Sequence, residues 1–163
     1  MMSVAAFCEW LNQTPISVYL RESDWPFAII ETIHILGLAF SVGVVIWIDL
    51  RLMGVSMKRE PVSDIVGQLE PWAVRGFALM FLSGITLFVS EPNYCYHATA
   101  FRVKLLLVVL AGLNVWLFHS RLYRYMMDWD ETPVLPWRAK MVGFLSLVLW
   151  FGVIVTGRWT AYK

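Results

Sequence analysis

Four stretches of this 163-residue chain are almost free of charge, and the charged residues collect between them. Each stretch is about 20 residues long, enough to cross a hydrocarbon core of ~30 Å at ~1.5 Å per residue. Inside lipid the backbone must satisfy its own hydrogen bonds, so each stretch is expected to be a helix. The expected spans are 27–48, 72–90, 98–118 and 141–160. Short connections make consecutive helices antiparallel neighbours. The expected fold is all-α: a single domain over 1–163, an integral membrane up-down four-helix bundle with an N-terminal interfacial helix. Composition agrees, since 15% charged residues fall well below the ~25% of a soluble domain.

Local signals set the boundaries. Asp24 and Pro26 suit the start of the first span, and Asp49-Leu50-Arg51 its end. Pro71 is expected to open the second span, and Glu91-Pro92 to close it. Segment 50–71 is expected to hold a short interfacial helix beginning at Pro61, with Ile65, Val66 and Leu69 on its apolar face. Val4, Phe7, Cys8 and Leu11 recur at helical spacing, so residues 3–12 are read as a helix on the membrane surface. Thr14-Pro15 can cap a second short turn through Leu20. Met1 to Gln13 lacks a basic start and is interrupted by Glu9 and Asn12, unlike a cleavable signal peptide.

Basic residues orient the bundle. Arg51, Lys58, Arg59, Arg121, Arg124, Arg138 and Lys140 fall on the side of the first and third loops. Arg21 and Lys163 fall on the other. Both termini are therefore expected to face away from the cytoplasm, on the periplasmic side of a bacterial inner membrane. Trp25, Trp72, Tyr94, Tyr96, Trp137, Trp159 and Tyr162 lie near span ends, as an aromatic belt requires. A net charge of +1, with no basic run, excludes a nucleic-acid partner. The expected surroundings are the lipid bilayer, with other membrane subunits or further copies of the chain as partners. Cys8 and Cys95 have no metal-binding spacing. Both fall on the non-cytoplasmic side, where a disulfide would tie the surface helix to the second loop.

Small residues recur on the spans: Gly37 and Ser41; Gly76, Ser83 and Gly84; Gly143, Ser146 and Gly157, which share a face with Trp150 and Val153. Helices in lipid associate by close backbone approach at such positions, so these faces are expected to build the bundle.

Ionisable residues at membrane depth are costly and mark candidate sites. Glu31 and His34 share a face about 9 and 13 Å below Trp25 at ~1.5 Å per residue. Lys104 reaches about 9 Å into the third span from Ala98 on the same scale. Arg158 and Glu91 stand near the same ends of the fourth and second spans. All four helices thus send a charge to one outer layer. The alternative is an ion-pair lock joining Glu31 to Lys104 or Arg158, since buried charges are paired whatever their purpose. Asp49, Arg51 and Arg75 form a second, cytoplasmic layer read as structural. Asn114, on the face of Lys104 and Ala111, suits an interhelical hydrogen bond.

Within the outer layer, a carboxylate beside an imidazole can fix its tautomer. Glu31 and His34 therefore suit a haem or metal ligand, or a proton relay at a quinone, with Lys104 and Arg158 neutralising an anionic group. The candidate cofactor-binding residues are His34, Glu31, Lys104 and Arg158; the candidate metal ligands are His34 and His97. A haem b is the first expectation, then a quinone or copper. His119 cannot complete a bis-histidine clamp: the first and third helices run parallel, which leaves it about 18 Å from His34 in depth. His97 could approach only if its loop folds inward.

Glu31-Thr-Ile-His34-Ile-Leu-Gly37, Asp49-Leu-Arg51-Leu-Met-Gly54, the stretch from Gly76 to Gly84, Phe101-Arg-Val-Lys104 and Gly157-Arg158-Trp-Thr-Ala-Tyr162 resemble an uncharacterised family of small bacterial inner-membrane proteins, a domain of unknown function. That resemblance implies a four-helix membrane fold in the inner membrane and no particular activity. A fainter likeness to copper-resistance membrane proteins and cytochrome-b-like bundles rests only on helix count and a first-span histidine.

The leading functional expectation is an accessory redox or ligand-binding subunit with its site in the outer half. A structural or assembly subunit of a larger membrane complex is the second reading, and a small transporter the third. No nucleophile–base spacing and no phosphate loop is present, so no catalytic residue is assigned and an enzyme is disfavoured.

Overall fold

The computed structural model describes residues 3–130 and 135–161. Tyr162 and Lys163, counted above at the last span, lie outside the described residues. Two short helices, α1 (Val4–Asn12) and α2 (Pro15–Glu22), precede the long α3 (Asp24–Leu52) and α4 (Val62–Ser90). A one-and-a-half-turn α5 (Pro92–His97) leads into α6 (Thr99–Leu117), which continues through a wide π turn and a 3-10 turn into α7 (Met126–Asp130). The last helix is α8 (Trp137–Thr160). α3, α4, the run 99–130 and α8 are each long and apolar enough to cross a membrane. The chain is a membrane protein with an all-α, four-helix fold. Below, the side carrying both chain ends is the end side, and the opposite side the loop side.

Both of the first two helices are capped, the second at Thr14 as predicted. Ser3 Oγ accepts from the Ala6 amide at 3.2 Å, and Thr14 Oγ1 from the Ser17 amide at 3.4 Å. α2 then caps a neighbour. Ser17 Oγ and Arg21 both donate to the Ser90 carbonyl at 3.4 Å, one of the acceptors left open at the end of α4.

The largest departure is on the loop side. Pro71 was expected to open the second span, behind a separate interfacial helix. Instead α4 starts at Val62 and passes Pro71 without a break. Proline removes one backbone bond and its ring crowds the carbonyl four residues back, but that residue is Gly67, which is exposed and has open space where a side chain would stand. The apolar face foreseen on this segment is real and has another use. Ile65 and Val66 are buried, and Val66 joins Val62, Leu52, Phe118, Met126, Trp129, Leu135 and Ala139 in a loop-side core. Asp130 locks this core by capping α4. Its Oδ1 accepts from the Val62 and Ser63 amides at 2.6 and 3.2 Å, while Ser63 Oγ donates to Oδ2.

Glycines set the helix contacts, at Gly37, Gly76 and Gly143 as their spacing predicted and also at Gly152, which was not foreseen. A methyl group on Gly76 would stand 2.8 Å from Ser41 Cβ, and one on Gly37 3.3 Å from the Met80 amide nitrogen. α3 and α4 therefore touch backbone to backbone. Gly143 brings α8 to α3, with a notional methyl 2.8 Å from the Asp49 carbonyl, and Gly152 brings α8 to Leu107 of α6. The bundle thus runs α4–α3–α8–α6 by packing. α4 and α6, neighbours in sequence, were expected to be neighbours in space, but their backbones make little contact. Side chains bridge them: Phe88 stacks on Phe101 with ring centroids 5.8 Å apart, and Glu70 meets His119 at 2.7 Å.

Candidate functional site

The second core cluster, with Val42, Val45, Ala73, Ala111, Leu149, Trp150 and Val153, fills the middle of the bundle. Phe77 of α4 stacks on Trp150 of α8 across it, centroids 4.8 Å apart. This apolar zone divides the interior into two polar layers.

The end-side layer centres on His34. Its Nδ1 is 3.0 Å from the Met80 carbonyl and 3.1 Å from Ser83 Oγ. A carbonyl only accepts, and the Ser83 hydroxyl has its own acceptor, the Leu79 carbonyl at 2.8 Å. The proton between them therefore belongs to Nδ1, and Nε2 carries the lone pair of the neutral ring. No hydrogen bond reaches Nε2 among the described residues. Gly84 makes room for this pose, since a methyl there would lie 3.1 Å from Cε1. Lys104 of α6 enters the same interior with its stem along Gly157, Nζ 3.6 Å from where that residue's methyl would be. Its ammonium is within electrostatic reach of both His34 and Cys95. It makes no hydrogen bond or ion pair among the described residues.

The layer gathers fewer of the expected residues than the sequence suggested. Glu31 is half-buried on α3, but the partners of His34 are Met80 and Ser83, on the neighbouring helix. Glu31 makes no hydrogen bond or ion pair among the described residues, so it is not joined to Lys104 either. Arg158 is exposed near the end of α8. His97 is exposed at the end of α5, its ring edge-on to Tyr96 at 5.0 Å. It lines a surface depression with Tyr94, Ala98, Thr99, Ala100, Trp159 and Thr160. Ser83 and Cys95 were not foreseen as site residues. Ser83 was read as a packing residue, and its place on the Gly76–Gly84 face was the available signal. Cys8 and Cys95 are buried on helices that pack together, α1 and α5.

Among the described residues no group of three or more His, Cys, Asp or Glu comes together to hold a metal ion. The His34 Cε1, next to Nε2, lies against Gly84. Neither of two surface depressions, the one at His97 and an apolar one along Val42, Ile46 and Phe151, is lined by His34.

The loop-side layer differs from the expected ion-pair set. Asp49 is hydrogen-bonded to Ser146 of α8. Arg51 donates from Nε and Nη2 to the Glu60 carbonyl at 2.9 and 2.7 Å, and Arg75 lies over the Trp72 ring at 4.8 Å. Asn114 makes the predicted interhelical bond, Nδ2 donating to the Val142 carbonyl at 3.1 Å.

The chain belongs to a family of unknown function, DUF6644, whose profile matches residues 7–163. No curated protein and no solved structure matches it.

Proposed function

We propose that the protein is an accessory subunit of the bacterial inner membrane, both chain ends periplasmic, that holds the head group of a lipid-soluble quinone. One observation carries the reading: His34 is fixed through Nδ1, its Nε2 has no hydrogen-bond partner among the described residues, and the ammonium of Lys104 is its electrostatic neighbour. A quinone carbonyl accepts a hydrogen bond from an ammonium, and its reduced hydroxyl donates to an imidazole lone pair. In this reading the two groups serve one ring oxygen in both redox states. Entry lies between α4 and α6, whose backbones make little contact and whose Phe88–Phe101 stack offers a ring-shaped contact. The test is solvent extraction of the protein purified in mild detergent, followed by mass analysis. Quinone near one per chain, lost in His34→Ala and Lys104→Met, supports the reading; quinone at the level of bulk membrane lipid removes it.

A second reading, an assembly subunit without ligand, draws on α6. Only Ala111 and Asn114 of that helix are buried, which leaves most of it to lipid or to a partner helix. A partner recovered in fixed proportion, and lost when Leu106 or Val109 is enlarged, would favour it.

A further inference from the structure

Two polar atoms are buried without hydrogen-bond partners among the described residues, Asp49 Oδ2 and Trp150 Nε1. Asp49 is 4% exposed and Trp150 5%. One is an acceptor and the other a donor. Ser146, which binds the Asp49 carboxyl, is four residues before Trp150 on α8 and so on the same face, one turn away. The orphan acceptor and orphan donor thus occupy adjacent levels of one α3–α8 seam. Gly143, a turn before Ser146 on α8, draws the two helices into contact at Asp49.

Nearby cations do not compensate the carboxylate. On its own helix, Arg51 is committed to the Glu60 carbonyl. Arg75 on α4 is exposed over Trp72. Arg21 on α2 is bound to Asn12 and Ser90 at the other end of the bundle. Arg138 is exposed and Lys140 half-buried at the start of α8, and neither bonds to Asp49. A carboxylate removed from water without a counter-charge costs several kcal/mol, and each uncompensated polar atom adds to that.

We infer that the α3–α8 seam is a binding site for a monovalent cation, with Asp49 and Ser146 supplying oxygen and a water seated on Trp150 Nε1 completing the shell. The cation is an alkali ion or a proton; both neutralise the carboxyl, and the water joins the two orphan atoms. Asp49 is three residues from the loop-side end of α3, so the site lies in the loop-side half of the bundle and is separate from the layer at His34.

The experiment follows unfolding temperature in nanodiscs as sodium, potassium or lithium replaces choline at constant ionic strength. The infrared carboxyl region is recorded in parallel. A ligand that binds only the folded state raises the unfolding temperature. An alkali-specific rise, abolished in Asp49→Asn and reduced in Ser146→Ala, identifies an alkali ion. No alkali effect, with a protonated-acid C=O band that is absent in Asp49→Asn and shifted in Trp150→Phe, identifies the proton. If Asp49→Asn does not fold, Ser146→Ala and Trp150→Phe carry the same two readouts. A wild type with neither an alkali-specific rise nor a protonated-acid band overturns the inference.

Discussion

The imidazole of His34 is held by the backbone of Met80, with Nδ1 3.0 Å from that carbonyl. A helix carbonyl can accept this second bond because it has two lone pairs. The ring orientation is therefore set by α3–α4 packing. Gly84→Ala would place a methyl 3.1 Å from Cε1 and tilt the ring. The expected result is at least a tenfold loss of quinone affinity with little change in unfolding temperature. Ser83→Ala, which leaves the Met80 bond, should lose only a few-fold. Fluorescence quenching titrations in nanodiscs compare the two.

Helix contact at Gly76 is the tightest on α3–α4. Gly76→Ala drives a methyl to 2.8 Å from Ser41 Cβ and is expected to cost about 1–3 kcal/mol, as overpacking does. Gly112→Ala is the control. Nothing lies within 4 Å of its notional methyl, and alanine in a helix interior gains about 0.5–1 kcal/mol over glycine. Denaturant unfolding in mixed micelles should move the two variants in opposite directions.

Asp130 caps α4 from a distant part of the chain. Asp130→Ala should destabilise by about 1 kcal/mol, as loss of an N-cap does. Because this cap ties residues 61–63 to α7, limited proteolysis between residues 53 and 61 should accelerate in the variant. Unchanged cleavage would show that the core around Leu52 and Trp129 holds this side unaided.

The proposed orientation is tested by cysteine accessibility in a background with Cys8 and Cys95 replaced by serine. Ser3→Cys should react with an impermeant maleimide in intact spheroplasts. Lys58→Cys should react only after lysis. The reverse pattern would place the basic loops outside and invert the assignment.

The spans, their packing glycines and the Asn114 bond were legible because each rests on local periodicity and residue size. The path of α4 through Pro71 was not, because it depends on a tertiary core formed with Phe118, Met126, Trp129, Leu135 and Ala139 and on the bare backbone at Gly67. The pairing of His34 with Met80 was hidden for a related reason. A backbone carbonyl carries no sequence signature, whereas Glu31 one turn away advertised a partner. Asp49 was assigned to an ion-pair layer on side of membrane alone. The helix faces instead turn it to Ser146 and send Arg51 to Glu60.

His34 and Lys104 are proposed to share one ligand. A short-chain quinone titrated into nanodisc-embedded wild type, His34→Gln, Lys104→Met and the double variant measures it. The predicted result is saturable binding in the wild type and at least tenfold weaker binding in each single variant. The double variant should lose less than the sum, because residues that contact one group are coupled. Equal affinity in all four proteins would contradict a site at this layer.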